Sequence, residues 1–241
     1  VSDPVSYFAQ ALPYAGALLA GLEGGGRGGL ALNVALALCA VPASLALGVV
    51  LGTLRVLKVP VLAGLAMALT EFAKWQPLLL TVFWIHYALP VFLGVRIGLF
   101  ATAQAALVFY GSVNVAEVYR SGVLSVNRAE LEAARLSGLS RLQTAALVLA
   151  PQAMRRMVPA LLAVAVSLFK DTSVVFVIGL VELTQTGMII AGRRPDLLPA
   201  MYAFMGLGYM AVSLVLTRLS RTLERRAEAR LAGGSRMGTG F

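Results

Sequence analysis

Long stretches of this chain carry no charge. No Asp, Glu, Lys or Arg lies between Arg27 and Arg55, between Lys74 and Arg96, between Arg96 and Glu117, or between Asp196 and Arg218. A membrane-crossing helix needs roughly 20 consecutive, mostly apolar residues. Leu30–Leu54, Ile97–Ala116 and Leu197–Thr217 each meet that length, and Met157–Ile178 meets it with only Lys170 and Asp171 interrupting. Pro42 inside the first stretch is compatible with a span, because neighbouring helices satisfy freed backbone groups. The whole 241-residue chain follows the same pattern, with 59% apolar and 13% charged residues and a mean hydropathy of +0.84. Soluble domains carry about 25% charged residues. A soluble globular enzyme and a disordered chain are both excluded, and the length suits one compact unit.

The segment Val59–Val95 is ambiguous, because Glu71, Lys74 and Pro77 divide its apolar residues. Charge placement decides how often it crosses. Arg55 and Lys58 follow the first span. Arg120, Arg128, Arg135, Arg141, Arg155 and Arg156 fall in the segment Glu117–Arg156. Arg218, Arg221, Arg225, Arg226, Arg230 and Arg236 fall in the tail. Positive residues concentrate on the cytoplasmic side. Placing these 14 inside leaves Arg27, Arg96, Arg193 and Arg194 outside, and Lys74 and Lys170 within the membrane. An even number of crossings must then separate Lys58 from Glu117, so Val59–Val95 is one broken crossing. The expected fold is an all-α membrane protein of five spans with its N-terminus outside. The +9 net charge is thereby explained by sidedness rather than by nucleic-acid binding.

Outside the spans the organisation is simple. The expected parts are an N-terminal segment 1–29, a membrane domain 30–220 and a basic cytoplasmic tail 221–241. Tyr14–Leu22 suits a short interfacial helix, Gly24–Gly29 a flexible joint, and Gly233–Phe241 a disordered end. The basic tail is also a minor candidate for lipid contact. Val1–Ala20 has no basic leader region, so no cleavable signal is expected. Trp75, Trp84, Tyr87 and Tyr110 suit either interfacial positions or helix packing. A single cysteine (Cys39) and a single histidine (His86) leave no metal cluster and no internal disulfide.

Glu117–Arg156 is far longer than an ordinary connection of about 4–6 residues. Ala129–Leu136 is rich in helix formers, with Asn127 placed as N-cap and Glu130 three residues later, the spacing of a capping box. Gly138 should stop this helix. A second helical stretch begins at Leu139 and is expected to be interrupted by Pro151. Helix, turn and helix make a cytoplasmic knob suited to docking a partner; the plain alternative is an amphipathic connector.

At these residues the chain resembles a known family. Glu132-Ala133-Ala134, Gly138, Val148 and Pro151 match the E-A-A-x3-G-x9-I-x-L-P signature of bacterial ABC importer permeases, with Val148 for Ile and Ala150 for Leu. Glu117-Val-Tyr-Arg-Ser-Gly122-Val resembles the A-E-I-Y-R-x-G-I run of polar amino-acid permeases. Pro151-Gln152-Ala-Met-Arg155 resembles their P-Q-A-x-R, and Lys170-Asp171-Thr172-Ser173 with Gly179 and Glu182 resembles their K-D-T-S…I-G…E-L. Gln76-Pro77-Leu78-Leu79 stands where the family has R-x-T/I-P-L-L and departs from it at the basic position. Leu12-Pro13-Tyr14 and Met157-Val-Pro159 look most like the glutamate/aspartate branch. The resemblance runs from about Leu30 to Arg226.

The resemblance implies a MetI-like permease whose loop helix, about 128–144, couples to a separate ATP-binding subunit through Glu132, Ala133, Ala134 and Gly138. It implies a second permease half, homologous or identical, and a periplasmic solute-binding protein. ATP and Mg would belong to the partner ATPase. This chain has no G-x-x-x-x-G-K-[ST] and would hold no cofactor of its own and not be an enzyme. Substrate would be a polar amino acid, passed by alternating access between two permease halves.

Ionisable residues inside a span are costly and are functional candidates. Lys170, Asp171 and Glu117 are read as gating or structural residues, and Glu71 with Lys74 as an i,i+3 structural pair. His86 is read as a packed histidine. Gln104, Asn114 and Ser167 are candidates for the substrate pathway, or else for hydrogen bonds between helices. Two other classes compete. An ion-driven secondary transporter would use a buried carboxylate such as Asp171 and no ATP-binding partner. A membrane-embedded enzyme would need a catalytic cluster that one His, one Cys and scattered carboxylates do not supply.

Overall fold

The computed structural model describes residues 4–22, 28–57 and 60–236, with side chains described between Phe8 and Arg225. The elements in chain order are α1 (Pro4–Ala11), α2 (Ala15–Ala20), α3 (Gly29–Val56), α4 (Leu62–Trp75) and α5 (Leu78–Leu93). They continue with α6 (Leu99–Leu124), α7 (Arg128–Leu136), α8 (Arg141–Ile178), α9 (Leu183–Arg193) and α10 (Leu198–Arg236). The only extended pairing among the described residues is an isolated bridge between Gly29 and Glu182.

Four helices, α3, α6, α8 and α10, are long and apolar enough to cross a bilayer. The broken pair α4 and α5 supplies a fifth crossing. Its break falls at Gln76-Pro77, where Pro77 adopts an extended backbone. A proline disfavours the helical region for the residue before it and donates no N–H. Counted as one crossing, the pair Leu62–Trp75 and Leu78–Leu93, bent by 110°, gives the five spans expected.

Prolines inside the helices are handled in two ways. Pro42 and Pro159 sit in regular α-helix. Pro90 and Pro151 each follow a five-residue π-turn, Trp84–Ala88 and Ala145–Leu149. The residue four before each proline, His86 or Leu147, lies inside that turn. Widening the helix there moves the carbonyl that the proline ring would strike. This corrects the expectation that Pro151 interrupts the second loop helix: α8 continues through it from Arg141.

The chain divides into two units, with boundaries inside the long helices. The first comprises Val1–Ala43, Gln76–Tyr110 and Val166–Val215. Its core has two parts. One joins Leu36 and Ala40 of α3, Val82 of α5, Leu107 of α6 and Leu168 and Val175 of α8. The other joins Ala11 and Leu18 to Ile190 of α9 and Leu197, Ala200 and Met201 at the start of α10. The N-terminal segment is thus built into this core, whereas the sequence suggested only a helix at the interface; α1 was not expected at all.

The second unit comprises Ser44–Trp75, Gly111–Ala165 and Leu216–Phe241. Here α3 and α6 approach closely because Gly48 and Gly52 face the partner helix one turn apart. A Cβ on Gly48 would stand 2.5 Å from Val115 Cβ, and one on Gly52 2.7 Å from the Tyr119 ring. This small-x3-small spacing is how membrane helices bring backbones together without a hydrophobic driving force. The end of the chain corrects another expectation. Helix α10 runs through Gly233 to Arg236, where a disordered end was expected; 237–241, and the Gly24–Arg27 part of the expected joint, lie outside the described residues.

Candidate functional site

The cytoplasmic knob in the second unit is built almost as its residues dictate. Asn127 caps α7 by accepting a hydrogen bond from the Ala129 amide at 3.0 Å. Glu130 does not close the expected box; it accepts instead from Gln152 Nε2 at 2.5 Å, tying α7 to α8. The capping box appears one helix later, where Ser140 and Gln143 exchange side-chain and backbone hydrogen bonds. Between the helices Gly138 adopts φ +91°. The Leu139 amide donates to the Ala134 carbonyl and the Gly138 amide to the Arg135 carbonyl. This is a Schellman stop, and its left-handed residue favours glycine.

One face of α7 is anchored by Leu131, which packs against Val126, Ala153 and Met157. Arg156 donates to the Ser125 carbonyl and fixes the approach to α7. The other face has no cover in the chain. Glu132, Ala133 and Gly138 are exposed and Ala134 is half-buried. Leu136 is 89% exposed and Leu142 80% exposed. Two such exposed leucines on a polar connector are apolar area that the chain itself leaves uncovered.

A second feature of this unit is a ring of four charges. Arg55 donates to Glu117 at 2.5 Å, Lys74 to Glu71 at 2.7 Å and to Glu117 at 3.3 Å, and Arg55 stands 4.0 Å from Glu71. The pairing of Glu71 with Lys74 was legible in the sequence, whereas Glu117 was read only as gating or structural, with no partner named. Arg55 was read only as a topological charge. Two cations alternating with two anions cancel each other, which lowers the cost of placing them beside lipid.

The first unit holds a buried polar network that the sequence reading missed. Asn33 and Glu182 are both fully buried. Asn33 Nδ2 lies within hydrogen-bond distance of Glu182 Oε2 (2.8 Å), Thr172 Oγ1 (2.9 Å) and Tyr209 OH (3.1 Å), and its Oδ1 accepts from the Leu183 amide at 3.0 Å. Glu182 caps α9, accepting from the Thr184 and Gln185 amides and from the Tyr209 hydroxyl at 2.6 Å. A carboxylate at a helix N-terminus with this many donors is paid in full for its lost water. The available signal was one Asn in an otherwise apolar span and one Glu beside a helix start.

Beside this network lies an open cavity of about 530 Å³. Ser173, Val174, Phe176 and Val177 from the end of α8 form one wall, with Thr184, Tyr202, Met205 and Tyr209 among the others. Lys170 and Asp171 immediately precede that wall. Asp171 is half-buried and Lys170 exposed, and neither forms a hydrogen bond or ion pair with any described residue. Ser167, one turn earlier, is exposed. Gln104 is engaged elsewhere: its amide donates to the Leu36 carbonyl at 3.0 Å, as a hydrogen bond between α6 and α3. Asn114 lies in the second unit and is exposed. The three pathway candidates therefore do not share one surface of one unit. His86 is half-buried with Nδ1 3.2 Å from Thr102 Oγ1, as a packed histidine would be.

Comparison with known proteins agrees with these features. The family model "Binding-protein-dependent transport system inner membrane component" matches residues 44–229. The probable glutamine ABC transporter permease of Bacillus subtilis (strain 168) is 41% identical over 182 residues, covering 74% of this chain and 83% of that protein. The glutamate/aspartate import permease of Escherichia coli O157:H7 is 30% identical over 205 residues, covering 82% and 91%. Among solved structures, the crystal structure of an amino acid ABC transporter with histidines superposes with a TM-score of 0.80 at 25% identity, over 91% of this chain and 98% of that one. The expected all-α permease fold and membrane location are thereby established: the chain is a multi-pass inner-membrane transport subunit and belongs to the binding-protein-dependent transport system inner membrane component family.

Proposed function

We propose that this chain is one permease half of an ATP-driven importer of polar amino acids of the glutamine and glutamate class. The observation that carries the reading is the uncovered face of the knob, where Glu132, Ala133, Ala134 and Gly138 sit beside the exposed Leu136 and Leu142. Alanines permit close approach, leucines supply the contact area and Glu132 adds a charge for register. The occupant is an ATP-binding subunit, which holds ATP and Mg and does the hydrolysis; this chain itself is not an enzyme. Its other partners are a second permease half, a homologue or a copy, and a periplasmic solute-binding protein. Segment 1–29 and the membrane domain 30–220 act together, with 221–241 as a basic tail.

The cargo reading rests on the relatives and on the cavity. An amino acid carries one carboxylate and one ammonium, and Lys170 with Asp171 offers one unpaired charge of each sign at the end of the cavity wall. Hydroxyls of Ser173, Thr184 and Tyr202 stand on the same cavity. In this reading the two residues gate the pathway by engaging the backbone of a passing zwitterion, with Glu117 holding the second unit together. Ser167 is assigned to the pathway in the first unit and Asn114 in the second, while Gln104 is engaged with the Leu36 carbonyl.

The test is Glu132→Lys and Leu136→Asp in the assembled transporter. Both variants should insert normally, lose most uptake of labelled glutamine and glutamate, and release the ATP-binding subunit on purification. Full uptake by Glu132→Lys would sink the coupling assignment. Uptake by the chain reconstituted alone under an ion gradient would favour the secondary-transporter reading, with Asp171 as the coupling carboxylate.

A further inference from the structure

Helix α10 is much longer than a bilayer requires. Its 39 residues span about 58 Å at 1.5 Å each, against a hydrocarbon core of about 30 Å. Its uncharged part, Leu198–Thr217, already fills that core. The remaining helix, from Arg218 on, must emerge at headgroup level as a rigid continuation.

The side chains at that level are sorted. Arg218, Arg221 and Arg225 recur at i, i+3 and i+7, which places them on one stripe of the helix. Leu219 and Leu223, at i and i+4, form the adjoining stripe. All five are exposed, with Leu219 at 53% and Leu223 at 42%. Glu224 is half-buried and falls on neither stripe. The sequence then adds Arg226, Arg230 and Arg236 against a single Glu228. From 218 to 236 the chain carries six Arg and two Glu.

We propose that this basic helical extension binds anionic phospholipid headgroups, with Arg218, Arg221 and Arg225 on the phosphates and Leu219 at the boundary with the acyl layer. The reasoning is one of depth and charge complementarity. A guanidinium one turn beyond an uncharged span cannot reach bulk water without passing the headgroup layer, and it pairs bidentately with phosphate. Basic residues near a negatively charged membrane surface are drawn to it by that charge. A solvated random tail would keep the charge but not the sorted stripes. This inference does not depend on the cargo or on the coupling surface.

The test uses the full chain in nanodiscs with spin-labelled phosphatidylglycerol and phosphatidylcholine, measuring the fraction of each lipid immobilised at the protein. The wild type should prefer phosphatidylglycerol several-fold, and the preference should fall as salt rises from 50 to about 500 mM. The triple variant Arg218→Gln, Arg221→Gln, Arg225→Gln should lose most of that preference, bringing the ratio of the two lipids close to even, and the triple Lys variant should keep it. Equal preference in wild type and triple Gln would overturn the proposal, as would a wild type with no preference. If the triple Gln variant fails to insert, the salt series on the wild type decides alone. A triple Gln variant that keeps its lipid preference but sheds the ATP-binding subunit would assign the surface to protein instead.

Discussion

At the scale of single residues, the chain's most demanding position is Asn33. Its amide reaches the carboxylate, hydroxyl and phenol groups that close the buried network, and its carbonyl holds the start of α9. Replacing it with leucine leaves Glu182 without one of its donors and the Leu183 amide without its acceptor, inside a dry core. Such orphaned groups cost about 1–3 kcal/mol each, though polar pairs inside membranes average nearer 0.6 kcal/mol. Asn33→Leu should therefore destabilise the detergent-solubilised chain by about 2 kcal/mol, read as a lower SDS-unfolding midpoint, while Asn33→Asp is worse because it sets a second carboxylate against Glu182. A midpoint unchanged in Asn33→Leu would show that the network contributes nothing net. The residues of the knob were easier to read than Asn33. Caps, a glycine stop and an exposed face are local properties, so Asn127, Gly138 and Glu132 declared themselves within a dozen residues. Asn33 acts across roughly 140 to 180 positions, and nothing near it in the chain names its partners.

At the scale of elements, the charge ring shows how α4 is held. Arg55 comes from α3, Glu71 and Lys74 from α4, and Glu117 from α6. Lys74 and Glu71 are more than a third exposed, so each contact alone is worth little; the alternation of the four is what counts. Lys74→Glu places three anions around one guanidinium and should lower folded yield and transport several-fold. Inverting the other three as well (Arg55→Glu, Glu71→Lys, Glu117→Arg) restores alternation and should recover much of the loss. No recovery in that quadruple variant would reduce the ring to a set of independent surface contacts. The same elements explain why Pro151 misled the sequence reading. Propensity treats a proline as a break, but a π-turn one residue upstream lets a helix pass through it.

At the scale of the molecule, the distribution of arginines sets the orientation. Four outside and fourteen inside predicts that a cysteine introduced near the N-terminus is labelled by a membrane-impermeant maleimide in intact cells, and that one near Arg236 is labelled only after lysis. Cys39 would first be replaced by alanine. The reverse pattern would invert the topology and move the knob, with its coupling assignment, to the outside. The family comparisons bear on the same scale: they match nearly the full membrane domain.

What the sequence determined by itself is what depends on transfer from water to lipid or on the nearest few residues: the crossings, the Asn127 cap and glycine stop of the knob, and the family signature carried by fixed spacing. Each follows from local counts of charge and apolar area. Tertiary structure alone decided which polar groups meet inside the membrane. It joined Asn33 to Glu182 and Tyr209, brought Arg55 to Glu117, and engaged Gln104 with the backbone of α3. It also drew the N-terminal helices into the core and carried α10 past its expected end. The physical reason is that a hydrogen bond or ion pair needs two groups within about 3–4 Å, and the chain order says little about which groups packing will bring that close.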